Sequence, residues 1–346
     1  MIRAAVGLSA GLGLGVLAGY VLLGGPRLPR DVDAVIERVG RSDLSSVVTG
    51  DTGYARSGSV RLWYESVPPA GTERGVVLLN MAMAGDALFW PTAFIHELIS
   101  GGYRVIRYDQ RGTGASDWIE NWNRDNPYSL LDMADDAVAI LAELSVSRAH
   151  LVGLSLGGFV AQEVAIAHPD RVASLTLMST AADPTDGTLP GPRLSALARF
   201  ALRGLPLLRY RLLGGEANLV KERIAKIITT SGPASVNVAE VAAVVLYDLR
   251  ERRGVNLKAF VQHQAAVATT RSRYDLLKKV RSPALIIHGT DDSLIPIAHA
   301  QKLAQAIPNA EHLWLDGVGH EFPYPDMATV ITVMLNHFER ATGRPS

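Results

Sequence analysis

The sequence of 346 residues contains no cysteine. That absence removes thiolate nucleophiles, cysteine-ligated zinc, iron–sulfur clusters and disulfides together, and leaves the compartment open. There is no excess of one charge either: 34 Lys and Arg balance 34 Asp and Glu. No overall field draws in a polyanion, so nucleic acid is not an expected partner. Charged residues make up 20% and hydrophobic residues 48% of the chain, with mean hydropathy +0.14. That balance excludes a disordered or collagen-like chain. The length suits one large α/β domain with an insertion, or two domains. Internal repeats are absent.

One stretch, Ala4 to Gly25, lacks charge altogether. As a helix it measures roughly 33 Å, enough to span a bilayer's hydrocarbon core. Arg3 precedes it and Arg27 and Arg30 follow, so charge does not settle its orientation. Gly7, Gly11, Gly15 and Gly19 recur every four residues and share one helical face, which leaves room for a second helix. We expect a membrane anchor over 1–30, with the remaining chain outside the cytoplasm. A cleaved secretory signal is the alternative, although no small-x-small cleavage site is evident and Pro26 sits where one would fall.

After a polar stretch to about Gly58, short apolar runs alternate with amphipathic segments, the pattern of βαβ units around a mostly parallel sheet. Strands are expected over Val60–Val67, Gly75–Met81, Tyr103–Tyr108, Ala149–Gly153, Val172–Ser179, Ala284–His288 and Glu311–Leu315. Helices are expected over Trp90–Ser100, Leu130–Leu144, Leu154–His168, Ile297–Ile307 and Met327–Ala341. From Asp183 to Ser282 the alternation fails and helical patterns dominate. The expected organisation is an anchor (1–30), a first core part (31–182), a helical lid (183–282) and a second core part (283–346).

Gly153-Leu154-Ser155-Leu156-Gly157 fits G-x-S-x-G, a weak pattern by itself. Its context strengthens it, because the serine falls where an apolar strand stops and an amphipathic helix starts. Such a sharp turn crowds the backbone, and glycines on either side relieve it. Leu156, first in the helix, has an N–H with no intrahelical partner, suited to a developing oxyanion. A serine hydroxyl needs a base to take its proton, and that base needs a carboxylate. His320, in the Gly317-Val318-Gly319-His320 loop after the last strand, reaches the same sheet edge. His288 reads as a buried strand-end residue, while His263, in the lid, is a candidate substrate contact. Asp291 and Asp292 both follow the strand ending at His288, and only one can orient the imidazole.

The chain order Ser155, Asp, His320, interrupted by a helical insertion, resembles the α/β-hydrolase fold family over roughly Ser59 to Arg340. Asp109-Gln110-Arg111-Gly112-Thr113-Gly114-Ala115-Ser116 looks like that family's D-x-R-G-x-G-x-S loop. Gly289-x-x-Asp292-x-x-x-Pro296 looks like its acid loop, a register that selects Asp292. Val105–Asp109 and Gly317–Glu321 are similar to cap-bearing serine carboxylesterases of the aclacinomycin methylesterase type. One departure stands out: where many members carry His-Gly after the third strand, this chain has Met81-Ala82, followed by Met83. The resemblance implies Met83 N–H as the second oxyanion donor, beside the alternative that this segment is a plain apolar strand end.

The resemblance further implies hydrolysis of a small-molecule ester through an acyl-enzyme on Ser155, with no metal and no cofactor. The same triad serves carbon–carbon bond hydrolysis or peroxide-dependent chemistry in other proteins, and a tethered binding protein without turnover is a third class. Between Arg193 and Arg211 five arginines (193, 199, 203, 209, 211) interleave with apolar residues and no acid. Near a membrane such a piece suits anionic headgroups and lipid-like esters; a solvated basic face is the plainer reading.

Overall fold

The computed structural model describes residues 20–21, 23–125, 127–191, 202–231, 236–320 and 326–343. One sheet contains β1 (Asp51–Ser57), β2 (Val60–Val67), β3 (Gly75–Asn80), β4 (Tyr103–Tyr108), β5 (Ala149–Leu154), β6 (Val172–Met178), β7 (Ala284–Gly289) and β8 (Glu311–Leu315). The strand order is β1-β2-β4-β3-β5-β6-β7-β8. β1, β2 and β4 pair antiparallel, and the rest of the sheet is parallel. β1 escapes a pattern search because its only fully buried side chain is Ala55; it is a polar edge strand.

The helices with both ends among the described residues are α1 (Val32–Gly40), α2 (Thr92–Ser100), α3 (Leu130–Glu143), α4 (Leu156–Ala167), α5 (Leu208–Leu213), α6 (Glu216–Ser231), α7 (Val238–Glu251), α8 (Leu257–Ala268), α9 (Tyr274–Leu277), α10 (Ile297–Ala306) and α11 (Met327–Ala341). Alternate strand residues feed two cores. Leu78, Ile106, Leu151, Leu175 and Ile286 pack with Met133, Ile140 and Leu141 of α3 and with Phe159 and Val160 of α4. Val77, Leu79, Val105, Val152 and Ile287 pack with Phe94 and Leu98 of α2 and with Val330, Met334 and Phe338 of α11. Covering both faces is what makes the parallel strands read as continuous apolar runs. α3 begins at a capping box in which Ser129 and Asp132 satisfy each other's backbone N–H.

The chain folds as two compact units. One comprises the N-terminal segment through Leu44 together with Arg193–Leu249; the other comprises Ser45–Pro192 and Arg250–Ser346. In the first, Val32, Val35, Ile36 and Val39 line one face of α1, at the spacing that faces a partner, and pack with Val220 and Ile224 of α6 and Leu246 of α7. These units differ from the expected 31–182 and 183–282 boundaries. Residues 250–282 belong to the same unit as the sheet, and their side chains bond to the loop after β4: Asn256 Nδ2 donates to Gly112 O at 2.9 Å, and Gln262 Nε2 to Ile119 O at 2.9 Å. Arg273, fully buried, stacks on Phe159 and reaches Glu163 and Ala181 O.

The expected N-terminal anchor, with Gly7, Gly11, Gly15 and Gly19, lies outside the described residues apart from its last few positions. No helix among the described residues is long and apolar enough to cross a membrane. Of the five interleaved arginines, Arg193 and Arg199 also lie outside them. Arg209 donates to Gly24 O and lies over the Tyr210 ring, and Arg211 pairs with Glu222 at 2.6 Å, so both have partners within the first unit.

Candidate active site

β5 passes into α4 through a single residue, Ser155, at φ 53° and ψ −111°. Holding a non-glycine residue there costs on the order of 1–3 kcal/mol, so the surroundings must enforce it. Ser155 N–H donates to Met178 O at 2.8 Å, tying the turn to β6. The flanking glycines are needed for space: a Cβ at Gly153 would stand 2.3 Å from Gly157 O, and one at Gly157 would stand 1.9 Å from Asn80 O. The second approach also brings the end of β3 against the start of α4.

Ser155 Oγ lies 2.9 Å from His320 Nε2, and His320 Nδ1 lies 2.7 Å from Asp292 Oδ2. The three residues singled out from sequence therefore meet in one hydrogen-bonded relay. Asp292 is buried, whereas Asp291 is exposed, in line with the register that selected Asp292. The other carboxylate oxygen, Oδ1, accepts from Leu294 N at 2.9 Å and Ile295 N at 2.8 Å. Those bonds fix the side chain and leave Oδ2 for the imidazole. His288 is buried as expected, with a role that strand-end placement does not reveal. Its Nε2 donates to Ile295 O at 2.8 Å and stands 3.3 Å from Asp292 Oδ2, and burial holds its pKa below the usual imidazole value.

Leu156 N–H opens α4 and meets no backbone acceptor among the described residues. On the other side of the elbow, Ala82 and Met83 N–H groups likewise meet none, while Gly85 N–H closes a turn onto Ala82 O at 3.0 Å. The Met83 side chain packs against the core, so both readings of this segment describe part of it: an apolar strand end by side chain, a candidate donor by backbone.

His263 does not open toward substrate. It is fully buried on α8, and both ring nitrogens are engaged: Nδ1 accepts from Ala84 N–H at 3.1 Å, and Nε2 donates to Arg111 O at 3.0 Å. Burial lowers its pKa to about 4, so the ring is neutral at pH 7. The Asp109–Ser116 loop is a brace. Asp109, buried, accepts from Ala87 N and Ala115 N, both at 2.8 Å, and pairs with Arg252. Arg111 grips Asp136 with two bonds of 2.6 and 2.7 Å and lies over the Tyr128 ring. Ser116 Oγ links Asp109 O to Trp63 N.

An eight-stranded, mostly parallel sheet with a strained serine at its elbow defines an α/β hydrolase, and residues 75–326 match the family model described as alpha/beta hydrolase fold. The chain belongs to that family. It is 29% identical over 302 residues to rhodomycin D methylesterase DauP of Streptomyces sp. (strain C5), across 82% of this chain and 96% of that protein. At 29% over 291 residues it is equally similar to a Variovorax paradoxus (strain S110) protein assigned as the carbamate hydrolase RutD, across 82% and 97%. The esterase RhEst1 from Rhodococcus sp. ECU1013 shares the fold, with a TM-score of 0.62 at 22% identity over 83% of this chain and 98% of that one.

Proposed function

We propose that this hydrolase cleaves carboxylic esters through an acyl-enzyme on Ser155. The observation that carries the reading is the unbroken relay from Ser155 Oγ to His320 to Asp292, with contacts of 2.9 and 2.7 Å. His320 Nε2 takes the Ser155 proton as Oγ attacks the ester carbonyl carbon. Asp292 holds Nδ1–H in place and stabilises the imidazolium that forms. Leu156 N–H and Met83 N–H receive the negative charge on the carbonyl oxygen, each donor contributing about 3–4 kcal/mol to the transition state. The tetrahedral intermediate collapses, the alcohol leaves with the proton from His320, and a water activated by the same imidazole then releases the acid and restores Ser155. The scheme uses no metal or cofactor.

The methylesterase relative supports a small alcohol leaving group. The equally similar RutD relative supports a second reading, carbamate hydrolysis, in which the same attack expels the alcohol or phenol and leaves a carbamoyl group on Ser155, which water releases as a carbamic acid that breaks down to amine and carbon dioxide. The test is turnover of a chain-length series of p-nitrophenyl esters and of matched p-nitrophenyl carbamates, beside Ser155→Ala and fluorophosphonate labelling. We expect labelling at Ser155 and ester turnover that the alanine variant lowers by about 10⁴-fold or more. Labelling with carbamate but no ester turnover would favour the second reading. Neither labelling nor turnover would overturn both, and would favour a binding protein.

A further inference from the structure

We propose that His263 is the positioning residue of the oxyanion loop: its imidazole fixes the turn that presents the backbone N–H groups of Ala82 and Met83. The inference rests on the proposed acyl transfer at Ser155 and adds a residue that acts on it without touching substrate.

The loop after β3 leaves the sheet without ladder partners. Its middle residue, Ala84, has φ 57°, a conformation that a non-glycine residue holds only when its neighbours impose it. The Ala84 N–H is satisfied by one group, Nδ1 of His263, at 3.1 Å. A backbone N–H can only donate, so Nδ1 must be unprotonated, the ring's proton must sit on Nε2, and that proton goes to Arg111 O at 3.0 Å. The imidazole is thus a strut in a single tautomer between two loops. Its far end does not give way, because Arg111 is clamped on Asp136 and α8 is stitched to the same loop through Asn256 and Gln262. The ring meets the Tyr128 ring edge-on at 6.2 Å, which limits rotation.

Two other pins hold the ends of the loop: Gln110 Nε2 donates to Met81 O at 2.9 Å, and Ala87 N–H donates to Asp109 Oδ1 at 2.8 Å. Between them lie Ala82 and Met83, whose N–H groups meet no backbone acceptor among the described residues. Donors aimed at an oxyanion help only when they are held in place before charge develops. Ala84 is the residue next to Met83, so its anchor sets where Met83 N–H points.

Two conservative variants of the full chain separate the two ends of the strut. In His263→Asn, the amide oxygen lies where Nδ1 was and keeps an acceptor for Ala84. In His263→Gln, the amide nitrogen lies where Nε2 was and keeps the donor to Arg111 while losing that acceptor. Kinetics with p-nitrophenyl butyrate are referred to sites titrated by fluorophosphonate, and binding of an alkyl trifluoromethyl ketone, which forms a tetrahedral adduct on serine, is measured alongside. We expect His263→Gln to lose about 10- to 100-fold in kcat with KM within about twofold, and ketone affinity to fall in parallel. His263→Asn recovers most of that loss. Equal kcat per titrated site in wild type and both variants, or equal impairment of the two variants, would overturn the proposal. A wild-type enzyme that neither labels nor turns over would instead remove the ester-hydrolase reading, so the two failures are distinguishable.

Discussion

The two arms of the site, the acid and histidine on one side and the oxyanion loop on the other, are held by different means. Asp292 sits in the turn after β7 and takes its fixing hydrogen bonds from N–H groups two and three residues further on. The loop after β3 takes its bonds from Gln110, Asp109 and His263, the last of them 179 positions away. The first arm is a local Asx-type turn that closes on its own backbone. The second is a loop with little internal structure, held by side chains that the fold delivers. A turn that satisfies itself is written in a short run of residues, whereas a braced loop is written in several distant ones.

A single-atom exchange at Asp292 breaks the first arm by chemistry alone. In Asp292→Asn the amide oxygen still accepts from Leu294 and Ile295, but the amide nitrogen cannot hold His320 in the tautomer that accepts the Ser155 proton. We expect kcat to fall by about 10⁴-fold, while the unfolding midpoint moves little. Asp291→Asn, at the exposed neighbour, leaves kcat within about threefold. Ester kinetics and thermal unfolding of the two variants check both statements. A large stability loss with modest activity loss in Asp292→Asn would make that arm a brace as well.

The same contrast explains what was legible. The parallel strands could be read because burial on both faces leaves unbroken runs such as Gly75–Asn80 and Ala284–Gly289. Ser155 could be read because close approach at Gly153 and Gly157 forbids any other residue there, and Asp292 because its turn repeats a local pattern. His263 was legible as a lid histidine but not as a strut, since neither Ala84 nor Arg111 is near it in sequence. β1 is hidden by its want of apolar residues, and α1 by a packing face that meets α6 and α7 rather than the sheet. Residues 250–282 look like the rest of the helical insertion in composition; the partners of Asn256, Gln262 and Arg273, in the loops that follow β4 and β6, tie them to the unit that holds the sheet.

On the oxyanion side the expected effect is smaller and separates side chain from backbone. Met83→Ala trims a side chain that packs on the core and leaves its N–H, so kcat stays within about threefold. Met83→Pro removes the N–H and lowers kcat by about 10²–10³-fold, the usual cost of one lost oxyanion donor. Rates per titrated Ser155 site make the comparison independent of how much protein is active. If alanine and proline act alike, Met83 contributes as packing and the second donor is another N–H, with Ala82 the next candidate.

The smallest effect concerns acid and tests the strut's charge state. His263 is neutral in the fold with a pKa lowered to about 4 by burial, against an ordinary value near 6.5 in the unfolded chain. As pH falls from about 6.5 to about 4, the unfolded chain takes up a proton at this residue and the native protein does not. The stability that neutral His263 contributes is therefore fully present above pH 6.5 and drains away through that window. Other groups titrate over the same range: burial and the positive charge nearby hold His150 down to about 3, while burial raises the carboxyls of Asp109 and Asp136, which acts in the opposite direction. Comparing wild type with His263→Asn cancels these common contributions, because asparagine does not titrate. The gap in unfolding free energy between the two proteins, measured by urea denaturation at steps from pH 7.5 to 4, should shrink as pH falls, by up to about 3 kcal/mol at roughly 1.4 kcal/mol per pH unit. A gap that stays constant would mean that the ring binds a proton equally well in both states. The Ala84 N–H would then not depend on a bare Nδ1, and the strut would lose the single tautomer on which it rests.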